Sequence, residues 1–373
     1  MVKFRAYGKK KWERSRVGLY CALVVLLIHC SFPVLGQSSL DLPPALEETV
    51  GCVQLCWDIL DDAGDQVWSA WTNYRSLSFF SGIVPSQDIL INPPGYPSGG
   101  FVRITPPEAD FPIYSRRPSP ESRIWAGSFY YSVGDKRVRA VRFPVPTRDY
   151  SQASYESAVQ RFLGQDPDGR FQRLFYHQGF ITSVILHEAF HVWQSEQNAG
   201  KIRGANHETP LLPHSDRDRL LREEGETLTL LFTTTDSIAS YRLASDFLRI
   251  RKERYRTLTE EDIHFERRNE YVEGLATYIE TKSLFVYFDE VDPSLSSLME
   301  EFRVAQIRAV AQDNRSETEA QVRCYFFGMA LGFALDHLYG DHWKVEILKD
   351  GVYLDVLLEE VVKKKRGSAG LTY

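Results

Sequence analysis

The spacing of apolar residues changes character along this chain. Over 123–132 and 136–143 apolar and polar side chains alternate, and Gly134-Asp135 lies between the two runs. That pattern predicts two strands joined by a hairpin turn. Residues 101–105 are a further short strand candidate. The rest of 84–120 is proline-rich (NPPGYPSGG, TPPEADFP, RRPSPES) and reads as mostly loop. From Tyr155 onward apolar positions recur every three to four residues, the period of a helix with a buried face. Helices are predicted over 153–163, 170–198, 215–231, 236–256, 260–287, 294–312, 316–339 and 352–363. One earlier helix is predicted over 46–62, with Trp57, Ile59 and Leu60 as apolar positions. Together these elements predict an α+β fold. An N-terminal lobe over 37–152 carries a twisted, mainly antiparallel sheet. A mostly helical lobe over 153–363 follows, then a flexible tail over 364–373.

Residues 1–36 read as an address rather than as part of the fold. Lys3, Arg5, Lys9, Lys10, Lys11, Arg14 and Arg16 precede the apolar run 17–28, and Val34-Leu35-Gly36 ends on a small residue. This is the pattern of a secretory signal peptide cleaved between Gly36 and Gln37, which predicts a secreted or periplasmic protein. The run is shorter than the ~20 residues of a membrane span. No stable span is therefore expected after cleavage; an uncleaved anchor is the alternative. His29 before Cys30 departs from a lipobox, which argues against a lipid anchor. Taking the seven basic residues and Glu13 of this segment from the 44 basic and 50 acidic residues leaves 37 and 49, a net charge of −12. So acidic a body argues against nucleic acid as a partner. Three cysteines remain, Cys52, Cys56 and Cys324, an odd number that forms no closed disulfide framework. Cys52 and Cys56, four residues apart, either pair across a helix turn or lie as buried thiols.

The apolar run FITSVILHEAFHVW contains His187-Glu188-Ala189-Phe190-His191, an H-E-x-x-H motif. On a helix, residues four apart share a face, so both imidazoles can reach one metal ion. Glu188 is turned by about 100° and reaches a water on the metal rather than the metal itself. The residue types suit hydrolysis by Zn²⁺. Neutral imidazoles hold the ion, the ion acidifies a water, and a carboxylate accepts the proton. The metzincin pattern is excluded, because Gln194 and Gln197 stand where it needs Gly and His. His207 and His214 lie in a loop with Pro210 and Pro213 that offers no fixed geometry. A better source of the third ligand is the run Asn269-Glu270-Tyr271-Val272-Glu273-Gly274-Leu275-Ala276-Thr277-Tyr278. As an α-helix it would carry Glu270, Glu273, Thr277 and Glu280 on one face. Gly274 and Ala276 would let it approach the His187 helix closely.

These motifs resemble those of the gluzincin metallopeptidases, the peptidase MA-like group, including a secreted bacterial branch of it. That group follows H-E-x-x-H with a glutamate often set in E-G-x-A-x-Y, matched here by Glu273 to Tyr278. The resemblance covers roughly 172–350 and implies a zincin-like fold with Glu273 as third ligand. Glu270, one turn earlier, would orient an imidazole. A thermolysin-type alignment would choose Glu270 after Asn269, but Glu273 and Gly274 stand where its Ser and Asp belong. The 81 residues between His191 and Glu273 exceed the spacing of compact members and imply an inserted helical hairpin. Within it, 215–231 and 245–256 read as solvated helices exchanging ion pairs, and Glu224 is the carboxylate of this segment within reach of the metal region. Gluzincins also place a Tyr or His after the third ligand, hydrogen-bonded to the developing oxyanion. Candidates are Tyr325, Arg323, His337 and His342, with Tyr325 preferred. Gly328 and Gly332 follow it at i+3 and i+7 and suggest close packing against the site helices.

The resemblance implies a secreted zinc-dependent metallohydrolase, a peptidase acting on peptide or protein substrates. His187, His191 and Glu273 would bind Zn²⁺, Glu188 would be the general base, and Tyr325 would polarise the scissile carbonyl. The alternative is a degenerate zincin that serves as a zinc-binding scaffold of the cell envelope. The presence of Glu188, which only catalysis needs, argues against it.

Overall fold

The computed structural model describes residues 42–83, 87–105, 110–118, 127–143, 148–197, 215–312 and 317–369. The expected signal peptide, His207 and His214 lie outside them. Helix α1, Leu42–Trp68, extends the predicted 46–62 at both ends. Six strands follow: β1 Ser78–Ile83, β2 Gln87–Ile91, β3 Val102–Arg103, β4 Ile113–Arg116, β5 Gly127–Val133 and β6 Lys136–Phe143. They form one sheet in the order β3-β4-β2-β1-β6-β5. Every pair is antiparallel except β1 with β6, where Phe79 lies opposite Val141. Pro97 bridges to Val133, and Ser98 N–H donates to the Ser132 carbonyl at 2.8 Å. That stretch leads into the opposite edge strand, so the sheet curls.

Strands β1, β2 and β4 depart from the sequence-based expectation, which had the region around β2 and β4 as mostly loop. They are runs of four to six residues (SFFSGI, QDILI, IYSR), too short to show a readable period. The prolines fall between the strands, where no ladder N–H is required. Successive strand residues then divide between two cores. Phe79, Ile89, Ile91, Ile113, Val141 and Phe143 join the main core with the helices. Their neighbours Phe80, Leu90, Tyr114 and Ala140 join Phe101 and Tyr131 in a small core on the other face.

The helical part comprises α2 Arg148–Ala158, α3 Gln172–Tyr176, α4 Gln178–Gln197, α5 Ser215–Thr233, α6 Ser237–Tyr255 and α7 Glu260–Asn269. It continues with α8 Leu275–Val291, α9 Pro293–Gln312, α10 Glu317–Tyr339, α11 Trp343–Glu346 and α12 Leu354–Ala369. The helix expected over 170–198 breaks at His177, whose backbone is extended and whose Nδ1 accepts the Gly179 N–H at 3.0 Å. The helix expected over 260–287 is interrupted by a π-turn, Glu270–Gly274. Helix α12 runs to Ala369, into the segment expected as the tail. Lys363 pairs with Glu359 at 2.7 Å, and the Lys364 and Lys365 ammonium groups lie over the Tyr339 and Tyr241 rings. These contacts hold the last turns down.

Helix α4 is central. It packs between α1, α8 and the inner face of β6. With neighbours on so many sides it has no polar face, which explains the unbroken apolar run around the H-E-x-x-H motif. Cys52, Cys56 and Cys324 are free and buried. Cys56 Sγ donates to the Thr182 carbonyl of α4 at 3.5 Å. No helix among the described residues is long and apolar enough to cross a membrane.

Candidate metal centre

Helix α4 brings His187 and His191 to one face with their Nε2 atoms 3.1 Å apart. Across from them, the π-turn presents Glu273. Its Oε2 lies 3.2 Å from His191 Nε2 and 3.7 Å from His187 Nε2. A tetrahedral ion with bonds of about 2.0–2.1 Å needs donors about 3.3–3.4 Å apart. The three observed separations bracket that value, and two imidazoles with one carboxylate are a zinc-type donor set. The residues therefore fit the ion. Among the described residues no other group of His, Cys, Asp or Glu donors converges in this way.

The outer nitrogens of both imidazoles face oxygen atoms. Gln194 Nε2 donates to the Tyr271 carbonyl at 3.1 Å, which fixes the amide so that Oε1 faces His191 Nδ1 at 3.0 Å. A carbonyl oxygen can only accept, so Nδ1 carries the proton and the Nε2 lone pair is left for a metal. His187 Nδ1 lies 3.2 Å from Glu280 Oε2, close but not aligned as a full hydrogen bond. Glu280 Oε1 accepts from Arg303 Nη2 at 2.5 Å. The chain from imidazole to carboxylate to guanidinium orients the ring from behind.

Charge in this small space moves the titrations. Burial pulls His187 down, but Glu273 and Glu280 outweigh it and push the imidazole up to about 10. Burial raises Glu280, yet Arg303 and His187 hold it down to about 2. Glu273 is likewise raised by burial and carried well below the usual range by His191 and His187. Glu188 shifts the other way. Burial raises its carboxyl, and the two imidazoles only partly oppose this. Among the described residues none hydrogen-bonds that carboxylate, and the Arg139 charge acts on it from β6. Arg139 itself donates to Ser195, one turn beyond His191.

Other sequence candidates are distributed differently. Tyr325 is buried with its ring stacked on His187, centroids 6.0 Å apart and planes 10° apart. Glu270 does not orient an imidazole. Both its oxygens accept from Arg251, and the wider π-turn rotates it off the face shared by Glu273 and Glu280. Glu224 does not face the metal region; it accepts from Arg251 and Arg254. Helices α5 and α6 do exchange ion pairs, but these are buried, not solvated. Arg323 belongs to the same network, bonded to Glu266 at 2.6 Å. His337 and His342 are exposed. Gly274 packs not on the His187 helix but on Gly328 of α10, and Gly332 rests on the Tyr278 ring.

The sequence assigned no role to Gln194, Glu280 and Arg303. Helical spacing was a usable signal for two of them: Gln194 lies three residues after His191, and Glu280 seven after Glu273. Arg303 arrives from another helix and leaves no local signal. Tyr150 of α2, also unforeseen, is buried within the fields of Glu280 and Glu188. No protein-family model, no curated protein and no solved structure matches this chain. The functional argument therefore rests on the site itself.

Proposed function

We propose that this protein is a zincin-like, zinc-dependent hydrolase whose substrates are peptides or proteins. The observation that carries the reading is the triangle of His187, His191 and Glu273 donors, sized for a tetrahedral ion, with the buried Glu188 carboxylate beside it. Bound zinc would supply Lewis acidity, bringing the pKa of a coordinated water toward ~7. The protein's own residues do the rest. Burial makes Glu188 a stronger base than a solvated carboxylate, suited to accept the water proton and deliver it to the departing amine. Gln194 and Glu280 keep the imidazoles oriented. Tyr325 is assigned to hydrogen-bond the carbonyl oxygen as it gains charge. The leader expected over 1–36 would direct this activity outside the cytoplasm.

The experiment measures metal content and peptide cleavage together. Purified protein should carry about one zinc per molecule, lost in His187→Ala and His191→Ala. Glu188→Gln should retain zinc and fold but not cleave a proteome-derived peptide library, since an amide accepts no proton from water. Stoichiometric zinc in the double histidine variant, or wild-type turnover by Glu188→Gln, would refute the assignment.

A further inference from the structure

Beside the metal centre, Arg251, Arg254 and Arg323 interleave with Glu224, Glu266 and Glu270, and all six side chains are buried. Arg251 donates through Nη1 and Nη2 to the two oxygens of Glu270 at 2.8 and 2.6 Å, and through Nε to Glu224 at 2.6 Å. Arg254 joins Glu224 at 2.5 Å to Glu266 at 2.8 and 2.9 Å. Arg323 reaches Glu266 at 2.6 Å. With Glu270 ionised, three charges of each sign cancel, although burial pushes that carboxyl up to about 7 against the pull of Arg251. Buried pairs of this kind add little net stability over a well-packed apolar core. Geometric restraint is a separate matter, because a planar guanidinium fork fixes both the distance and the orientation of a carboxylate.

The fork grips a particular element. Glu270 opens the π-turn, and Glu273 sits within the same turn. A π-turn is an irregular insertion in an α-helix, not its relaxed form, and such turns recur at functional sites. From one side Arg251 of α6 holds the Glu270 carboxylate. From another, the backbone of Glu270 and Gly274 rests directly on Gly328 of α10. The Tyr271 carbonyl, inside the turn, accepts from Gln194 of α4.

We infer that Arg251 and Glu270 are positioning residues: their fork holds the π-turn so that Glu273 stands against the imidazole pair before any metal arrives. The inference rests on the zinc reading above for its consequence, but not for its mechanics. It also gives the inserted α5–α6 hairpin a role, since α6 supplies the arginine that braces the ligand-bearing turn.

The decisive variant is Arg251→Met combined with Glu270→Met. It removes both halves of the fork, and Glu224 keeps its bonds to Arg254, so no charge in the network is orphaned. The control is Arg323→Met, in the same network, where its guanidinium bonds Glu266 of α7; Glu266 keeps Arg254. Zinc affinity, read by competition with a chelator, should fall about 10–100-fold in the double variant. It should stay close to wild type in the control. In the metal-free proteins, hydrogen exchange of amides 270–275 should quicken in the double variant and not in the control, which general loosening would not produce. Wild-type exchange in the double variant overturns the inference, as does wild-type zinc affinity in a protein that binds zinc. Should wild-type protein bind no zinc at all, the zinc reading fails, and the exchange measurement still decides the fork. If the double variant does not fold, Arg251→Lys takes its place with the same two readouts, because a lysine keeps the charge and loses the fork.

Discussion

Replacing Gly328 with alanine probes the contact on which the ligand-bearing turn rests. A Cβ at that position would lie 2.5 Å from the Glu270 carbonyl oxygen, 2.7 Å from Gly274 Cα and 2.9 Å from Glu270 Cα. All three are backbone atoms, so no rotamer change relieves them. Ordinary contact starts near 3.4 Å, so α10 and the π-turn must separate by up to about 0.9 Å. Overpacking of this kind costs about 1–3 kcal/mol. Exchanging Gly for Ala inside a helix returns about 1 kcal/mol. Because only backbone can move, the upper part of that range applies, about 2–3 kcal/mol, and the net loss is about 1–2 kcal/mol. At about 2–4 °C per kcal/mol, the metal-free protein should melt roughly 2–8 °C lower. The same shift displaces Glu273 by more than the ~0.2 Å that ligand distances tolerate, and zinc affinity should drop at least about tenfold. Gly64→Ala is the control. It lies in α1 with nothing within 4 Å of its Cβ, and should gain about 0.4–1 kcal/mol. Thermal unfolding without metal and a chelator titration read the two effects separately. A Gly328→Ala protein as stable as wild type, with unchanged zinc affinity, would refute the close-approach argument.

Two further outcomes are expected. Glu273→Ala should abolish tight zinc binding, whereas Glu280→Gln should weaken it about 10–100-fold by releasing the His187 ring; equal affinities for the two variants in a chelator competition would contradict the division between ligand and orienting group. Acid should unfold the protein through the buried network. Burial raises Glu266, but Arg254 and Arg323 carry it down to about 2 from 4.5. A depressed carboxyl contributes stability that is full above pH 4.5 and lost as pH falls toward 2, about 3 kcal/mol here. Urea unfolding free energies that stay flat between pH 5 and pH 2.5 would count against it.

Much of the site was legible because its signals are local. A helix with two histidines four apart needs no partner to declare that their rings share a face. The run from Glu273 to Tyr278 pointed to the carboxylate that the fold brings against the two imidazoles, and the apolar surroundings of His187 announced a buried helix. Helix spans followed from periodicity for the same reason: α5, α6 and α9 each bury one stripe over five or more turns, whereas α10 is buried on nearly every side from Val322 to Leu335 and showed as an apolar run. The short strands β1, β2 and β4 were not legible. Four to six residues cannot establish a period, and their pairing is set by partners distant in the chain.

Glu270 and Glu224 mark the boundary most sharply. On an ideal α-helix Glu270, Glu273 and Glu280 share a face, and nothing local separates their roles. The π-turn separates them, and that turn is fitted to α10 through Gly274 and Gly328 and to α6 through Arg251. Glu224 looked like one charge on a solvated helix until Arg251 and Arg254 enclosed it. By itself the sequence determined which residue types could bind a metal and which segments are helical, because these depend on spacing within one element. The tertiary structure alone decided which carboxylate meets the imidazoles, which orients them and which is spent on a buried arginine. Those choices turn on ångström-scale contacts between helices far apart in the chain.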